Sequence, residues 1–386
     1  MTDYWDYYDE DFAWDDADAP IKPDLNFSRK RFAQIGMTDG EIEEYLASGY
    51  FVFPNDLVVD RFYGGALHSS NGRTRIPLES FLERRDGAKG RAISVSVSSV
   101  DELIHFVDSL RTQSPRGLLF RGQKQPYPLL RSGPNPFLAV DGIGEVSLLP
   151  SIWRRMREKT DNCFADFRSL GLLEWSSIVQ SSFDNDEIRR RHDAAHKRGE
   201  LLLTYGDMED SEDPLLRDFA RVSLDLTAGL DFNLANMFST LLQHYGLRSP
   251  LLDLTTDLDI AVFFATHSFH EGPLCKYDFV GTNSRNAVIY AFEQDVSEMH
   301  EHVHERAVQL LRPLRPERQF CRVCRSAPWA LNLPADFLVA VVRLDFDLLS
   351  PDRLTTAQLF PPREEDRFLA ALKKHVLHPS HVTEFA

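Results

Sequence analysis

The sequence predicts an α+β fold, and three observations carry that prediction. Residues 93–97, ISVSV, alternate with the period of a half-buried strand. They lead into VDELIHFVDSLRT at 100–112, where Leu103, Phe106, Val107 and Leu110 recur at helical spacing behind a capping box of Ser99 and Glu102. Farther on, NAVIYAF at 286–292 and FLVAVVRL at 337–344 are short apolar runs rich in β-branched and aromatic residues, the composition of buried strands. Strands and helices thus interleave, without an internal repeat.

Taken in order, residues 1–20, MTDYWDYYDEDFAWDDADAP, interleave acids with aromatics and show neither helical nor strand periodicity. Such a segment has three uses: a solvated tail, a strip docking on a basic groove of the same molecule, or a strip docking on a partner. Residues 21–90 form an N-terminal extension. It carries one helix signal, a Thr38–Glu41 capping box ahead of Ile42, Tyr45 and Leu46, then turn-rich sequence around Gly64, Gly65 and Pro77. A strand–helix–strand unit then closes on residues 117–120. The main domain runs over 91–386 with a helical insertion around 154–235, in which 187–202 reads as helix and DMEDSEDP at 207–214 as loop. Residues 295–312 read as helical or irregular, and EEDRFLAALKKHVL at 364–377 as an amphipathic helix.

Composition bounds the function. A chain of 386 residues, 43% hydrophobic and 11% aromatic, buries a sizeable core. It lacks the ~18 uninterrupted apolar residues of a membrane helix. With no secretory leader pattern and four cysteines, a cytoplasmic, reducing setting is expected. The net charge of −16 opposes non-specific nucleic-acid binding by the whole surface, leaving local basic patches at 154–159, 189–192 and 310–325. Cys321 and Cys324 form a lone CxxC without a second pair at zinc spacing, so no metal is expected. Phosphate-binding and dinucleotide-binding glycine loops, HExxH and GxSxG are absent.

Two segments concentrate polar residues beside apolar ones. LLFRGQ at 118–123 ends an apolar run with Arg121 and Gly122, a charge at a strand tip. Residues 241–267, LLQHYGLRSPLLDLTTDLDIAVFFATH, combine a glycine stop, a turn at Asp253, Thr255 and Thr256, and an apolar helix that Asp257 or Asp259 would cap. Hydroxyls and exposed amides converging at that helix N-terminus would suit an anion or a ribose; the alternative is that Asp253 and the threonines only satisfy the turn and cap. His244 has both a catalytic reading and a structural one, in which its ring bonds a loop carbonyl.

Together these segments resemble the FRG domain, named for the triplet that stands here as Phe120, Arg121 and Gly122. The later family pattern is matched by Gln243, His244, Tyr245, Gly246, Leu251, Leu252, Asp253, Thr255, Ala261, Phe263, Phe264 and Ala265. Weaker echoes at 148–154 and 358–366 extend the resemblance over roughly 90–380. The chain departs from the pattern at Arg248, Ser249 and Pro250, where Pro-Thr-Arg is usual, and at Leu254, where Trp is usual.

A looser similarity to ADP-ribosyltransferases implies a central split or mixed β-sheet flanked by helices, with NAD held against the split. It places Arg121 on the NAD phosphate or ribose and Thr255 or Thr256 bracing the ribose. A late acid or amide, Glu317 or Gln319 and after them Glu293, would support the oxocarbenium-like transition state. Gly122, Gln123, His244, Tyr245 and Asp253 complete the expected cofactor-binding set. Two readings follow: a transferase of ADP-ribose to a macromolecule, acting as a toxin or phage-defence effector, or a noncatalytic module binding nucleotide, nucleic acid or protein.

Overall fold

The computed structural model describes residues 24–52, 56–60, 75–87, 92–150, 170, 172–228, 241–247, 251–295, 299–300, 311–324, 333–350 and 354–385. The acidic segment 1–20, Gly64, Gly65, the basic patch at 154–159 and most of 295–312 lie outside these residues. The fold is mixed α+β. At its centre are β1 (Ile93–Val97), α1 (Val100–Gln113), β2 (Leu118–Gln123), β3 (Leu252–Thr255) and α2 (Leu258–Thr266). They are followed by a β4 (His267–His270) and β5 (Lys276–Phe279) hairpin, β6 (Val288–Glu293), β7 (Met299–His300), α3 (Leu314–Arg318), β8 (Cys321–Cys324), β9 (Leu338–Leu344) and α4 (Arg367–His375).

Seven strands form one sheet in the order β7-β8-β3-β2-β6-β9-β1. All neighbours are antiparallel except β9 and β1, which the crossover through the rest of the chain leaves parallel. The junction between β2 and β3 is a single register pair, Phe120 with Thr255. Leu118 and Phe120 face α1 and α2, in a core with Leu103, Val107, Ala261, Ala265, Ile289 and Val342. The alternating Leu119 faces the other way, with Leu252, Leu254, Tyr290 and Phe292. Burying the sheet on both faces explains why its central strands read as continuous apolar runs.

Helix α1 forms as its sequence predicts, with a refined cap. Ser99 accepts from Glu102 N, whereas the Glu102 carboxylate reaches Ser98 rather than closing the box on Ser99. Its buried Leu103, Val107 and Leu110 contribute roughly 1.5–3 kcal/mol each. The capping box at Thr38 and Glu41 is present.

The N-terminal region holds more structure than its single helix signal suggested. Helices Leu25–Gln34, Asp39–Ala47 and Leu78–Gly87 pack on a small three-stranded sheet around Phe32, Tyr45, Tyr50 and Phe81. This layer is tied to the segment before the insertion by Arg131, which pairs with Asp60 at 2.6 Å and Glu145 at 2.8 Å, both carboxylates being fully buried. Helices Leu172–Ser182, Asn185–Lys197, Tyr205–Glu209 and Pro214–Ala228 make up the described part of the insertion, so part of the expected loop at 207–214 is helical. Among the described residues no helix is long and apolar enough to cross a membrane.

Candidate functional site

A cleft of about 400 Å³ opens beside the β2–β3 junction, lined among others by Arg121, Lys124, His244, Asp253, Tyr277 and Cys321. This volume falls in the ~300–1,000 Å³ range of small-molecule sites. Strand β2 runs through Gln123, two residues past the expected tip, so Arg121 pairs with Tyr290 inside the sheet. From there Arg121 Nη1 donates to the Asp253 carbonyl at 2.8 Å, spanning the junction. Gly122 follows on the helix side, and the backbone of α2 at Ala261 and Ala265 lies directly against it. The glycine is therefore required by close helix–strand packing, whatever else it does at the cleft.

The segment read as a hydroxyl-rich turn is in fact strand β3. Its partner β8, about 70 residues later, pairs Cys321 with Thr255 and Val323 with Asp253, a match that no local signal announces. Thr255 is buried, donating to the Gln319 carbonyl at 2.8 Å and accepting from Asp257 N at 3.1 Å. Asp257 caps α2, accepting from Asp259 N at 2.8 Å and Ile260 N at 3.1 Å. Thr256 N donates to the Phe320 carbonyl. The amides expected to receive an anion are thus already engaged, and this N-terminus is closed by its own carboxylate.

Beneath Arg121 lies a cluster of His244, Asp253, Cys321, Gln243 and Gln319. Gln319 Nε2 donates to the Leu359 carbonyl at 3.2 Å, which turns Oε1 toward His244 Nδ1 at 3.0 Å. Nδ1 therefore carries the ring proton and Nε2 is the acceptor, 3.2 Å from Cys321 Sγ. Burial, with the Asp253 carboxylate beside it, pushes the Cys321 thiol well above its ordinary pKa. The thiol is protonated and donates to Nε2. Asp253 Oδ2 accepts from Gln243 Nε2, while Gln243 Oε1 is buried without a hydrogen bond from any described residue. Aromatic side chains of Phe264, Phe269 and Tyr277 also line the cleft, Tyr277 packing against both phenylalanines.

The fate of each expected residue is then plain. Arg121, Gly122, Gln123, His244, Asp253, Thr255 and Gln319 all line the cleft. Thr256, Tyr245 and Glu317 are not among its lining residues. Glu317 is exposed on α3, and Glu293 sits at the end of β6 remote from Arg121, opposite Leu118. Tyr245 is fully buried behind the cleft and donates to Asp366 Oδ2 at 2.6 Å. Lys124, Tyr277 and Cys321 were not singled out as site residues; Lys124 and Tyr277 carry no motif, and Cys321 was visible only as half of a CxxC. The two cysteines of that CxxC point to opposite faces of β8, and Cys324 is in the apolar core.

The site is braced from behind by Arg315, one charge in the proline-interrupted basic stretch. It is fully buried, with its guanidinium 4.7 Å from the Tyr245 ring centroid and 5.2 Å from that of Phe385. Nη1 donates to the His244 carbonyl and to Thr383 Oγ1, both at 3.1 Å, and Nη2 to the Thr383 carbonyl at 2.9 Å. Gly246, at φ +94°, ends the short helical turn and sits against Thr383. His244 is therefore held at both its backbone and its ring.

With this geometry in place, comparison with known families adds one finding. Residues 184–272 match the FRG domain. The FRG match supplies His244, Asp253 and Thr255 to the cleft, together with α2 and the aromatic Phe264 and Phe269. Arg121, Gly122, Gln319 and Cys321 come from outside the matched residues, so the cleft joins the FRG segment to strands on either side of it. The match begins within the polar helical stretch expected as an insertion around 154–235. No curated protein and no solved structure matches the chain.

Proposed function

We propose that the cleft binds a phosphate-bearing nucleotide, NAD, and transfers its ADP-ribose to a macromolecular acceptor. The observation that carries this reading is the meeting of Arg121, Lys124, the aromatic Phe264, Phe269 and Tyr277, and one carboxylate, Asp253, beside the single-pair β2–β3 junction. The guanidinium offers a planar charged fork to a diphosphate, and Lys124 adds a second positive charge. Rings of Phe264, Phe269 and Tyr277 offer stacking surface to a base or to nicotinamide. Glu317 and Glu293 lie away from the cleft, and Gln319 spends both ends of its amide on His244 and Leu359, so the charge-stabilising role falls to Asp253. In the step, the C1′–N bond to nicotinamide breaks with its electron pair leaving on the ring. The acceptor nucleophile supplies the pair for the new bond to C1′ and releases its proton to solvent.

The test is incubation of the full chain with NAD, with and without cell lysate, scoring nicotinamide release and labelled acceptor. Arg121→Ala removes one charge-assisted contact worth about 1.5–3 kcal/mol, roughly ten- to a hundredfold in NAD affinity. Arg121→Lys should rescue poorly, since an ammonium lacks the fork. Equal turnover by wild type and both variants would overturn the role of Arg121, and NAD binding without nicotinamide release would leave the binding-module reading in its place.

A further inference from the structure

We propose that His244, Asp253 and Cys321 form a binding site for a zinc-like transition-metal ion in the floor of the cleft. Their donor atoms already lie near the corners of a coordination triangle. His244 Nε2 is 3.2 Å from Cys321 Sγ and 3.8 Å from Asp253 Oδ1, and Sγ is 3.9 Å from the same oxygen. Tetrahedral zinc with ordinary bond lengths to nitrogen, sulfur and oxygen sets such donors about 3.4–3.6 Å apart. Each observed edge is thus within roughly 0.4 Å of its ideal.

The surroundings match what metal sites use to orient their ligands. Gln319 Oε1 takes the Nδ1 proton of His244, which presents Nε2 as an unprotonated donor, and is itself fixed by the Leu359 carbonyl. Gln243 holds the second Asp253 oxygen, leaving Oδ1 for the ion, and brings a buried oxygen that has no hydrogen-bond donor among the described residues. A sulfur, imidazole and carboxylate set favours zinc and its transition-metal neighbours over magnesium or calcium. Three protein donors leave a fourth position for water or a ligand atom, the pattern of reactive rather than purely structural zinc sites. Without metal, the thiol proton bridges to Nε2, so the site has a self-consistent closed form. Binding replaces that proton, and one proton per ion is released as the thiol becomes a thiolate.

This inference goes beyond the transferase reading and stands without it. The two meet at Asp253, whose charge the ion would neutralise, so zinc should slow any nicotinamide release.

The experiment uses the full chain, stripped with a chelator and then titrated with zinc or cobalt alone. One equivalent of zinc should bind, with a buffer-dependent heat corresponding to one released proton. Cobalt should give a thiolate-to-metal charge-transfer band in the near ultraviolet together with intense tetrahedral visible bands. Cys321→Ser should abolish the charge-transfer band and Cys275→Ser should leave it intact. Gln319→Leu should weaken zinc binding roughly 10–100-fold while preserving the cobalt band at saturation. Because the first readout is on the wild-type chain, a wild-type cobalt spectrum lacking the band overturns the site even if variants fail to fold. So does stoichiometric zinc binding that survives Cys321→Ser.

Discussion

Replacing Gly122 by alanine tests the packing at the heart of the Phe-Arg-Gly triplet with a single methyl group. A Cβ built on this residue stands 2.7 Å from the Ala261 carbonyl carbon and 2.8 Å from Ala265 N, overlapping the Ala261 oxygen more closely still. All three atoms are helix backbone, so no side chain can rotate aside, and α2 must retreat by about an ångström or more. Retreat pulls Ala261 and Ala265 off the sheet and disturbs Ile260 and Phe263 on the far side, all of them buried. Overpacking ordinarily costs about 1–3 kcal/mol; a backbone obstacle raises the expectation to about 3–5 kcal/mol. For a chain of 386 residues that is a fall in Tm of roughly 4–6 °C. Differential scanning fluorimetry alongside near-ultraviolet circular dichroism reads it. Gly40→Ala is the control, since nothing lies within 4 Å of its added Cβ, and it should be neutral or slightly stabilising. A Gly122→Ala protein melting with wild type would refute the close-approach argument and return the glycine to a purely ligand-facing role.

Three further outcomes are expected. Tyr245→Phe deletes the hydroxyl that donates to buried Asp366, leaving a carboxylate oxygen short of a donor, and should cost about 1–3 kcal/mol in urea unfolding. Arg131→Met strands two buried carboxylates, Asp60 and Glu145, and should cost about 3–5 kcal/mol; an unchanged midpoint would show that the N-terminal layer does not depend on this junction. Burial lowers the pKa of His267, which stacks on Phe263 with ring centroids 3.9 Å apart. Its neutral form is favoured in the folded state, so its contribution is complete above the unfolded value near ~6.5 and is lost as pH falls from there through the lower folded value. Thermal scans between pH 7.5 and 5 should show a steeper loss for wild type than for His267→Gln, and parallel curves would remove His267 from the account.

Elements whose cause is local were legible in the sequence. Helix α1 shows its cap, its apolar stripe and its length within 15 residues, and β6 and β9 show unbroken apolar runs that only a sheet covered on both faces accommodates. Helix α2 was legible together with its capping aspartate, while the sequence left open whether its N-terminus receives an anion or only satisfies its own turn. The carboxylate that starts the helix occupies the amides of Asp259 and Ile260, which favours the second. Strand β3 escaped because Asp253, Thr255 and the following Thr256 suit a turn, and only pairing with Cys321–Cys324 makes LDLT a strand. Of the cluster below Arg121, His244, Asp253 and Gln319 stand out through the family resemblances, whereas Cys321 does not: it lies 77 residues from His244, and their meeting is tertiary. The CxxC drew attention to the right sulfur through the wrong arithmetic, since strand alternation sends its two thiols apart.

The single register pair between β2 and β3 has a mechanical consequence. On one side of that seam stand β2, β6, β9 and β1; on the other stand β3, β8 and β7. One pair of residues resists bending far less than the six-residue ladder joining β2 to β6, so compliance in the sheet concentrates where Arg121 crosses to Asp253. The cleft therefore opens where the fewest ladder pairs tie the two half-sheets together. An occupant gripping groups on both sides draws the two half-sheets together at little elastic cost, and each half stays rigid enough to keep its own groups in register.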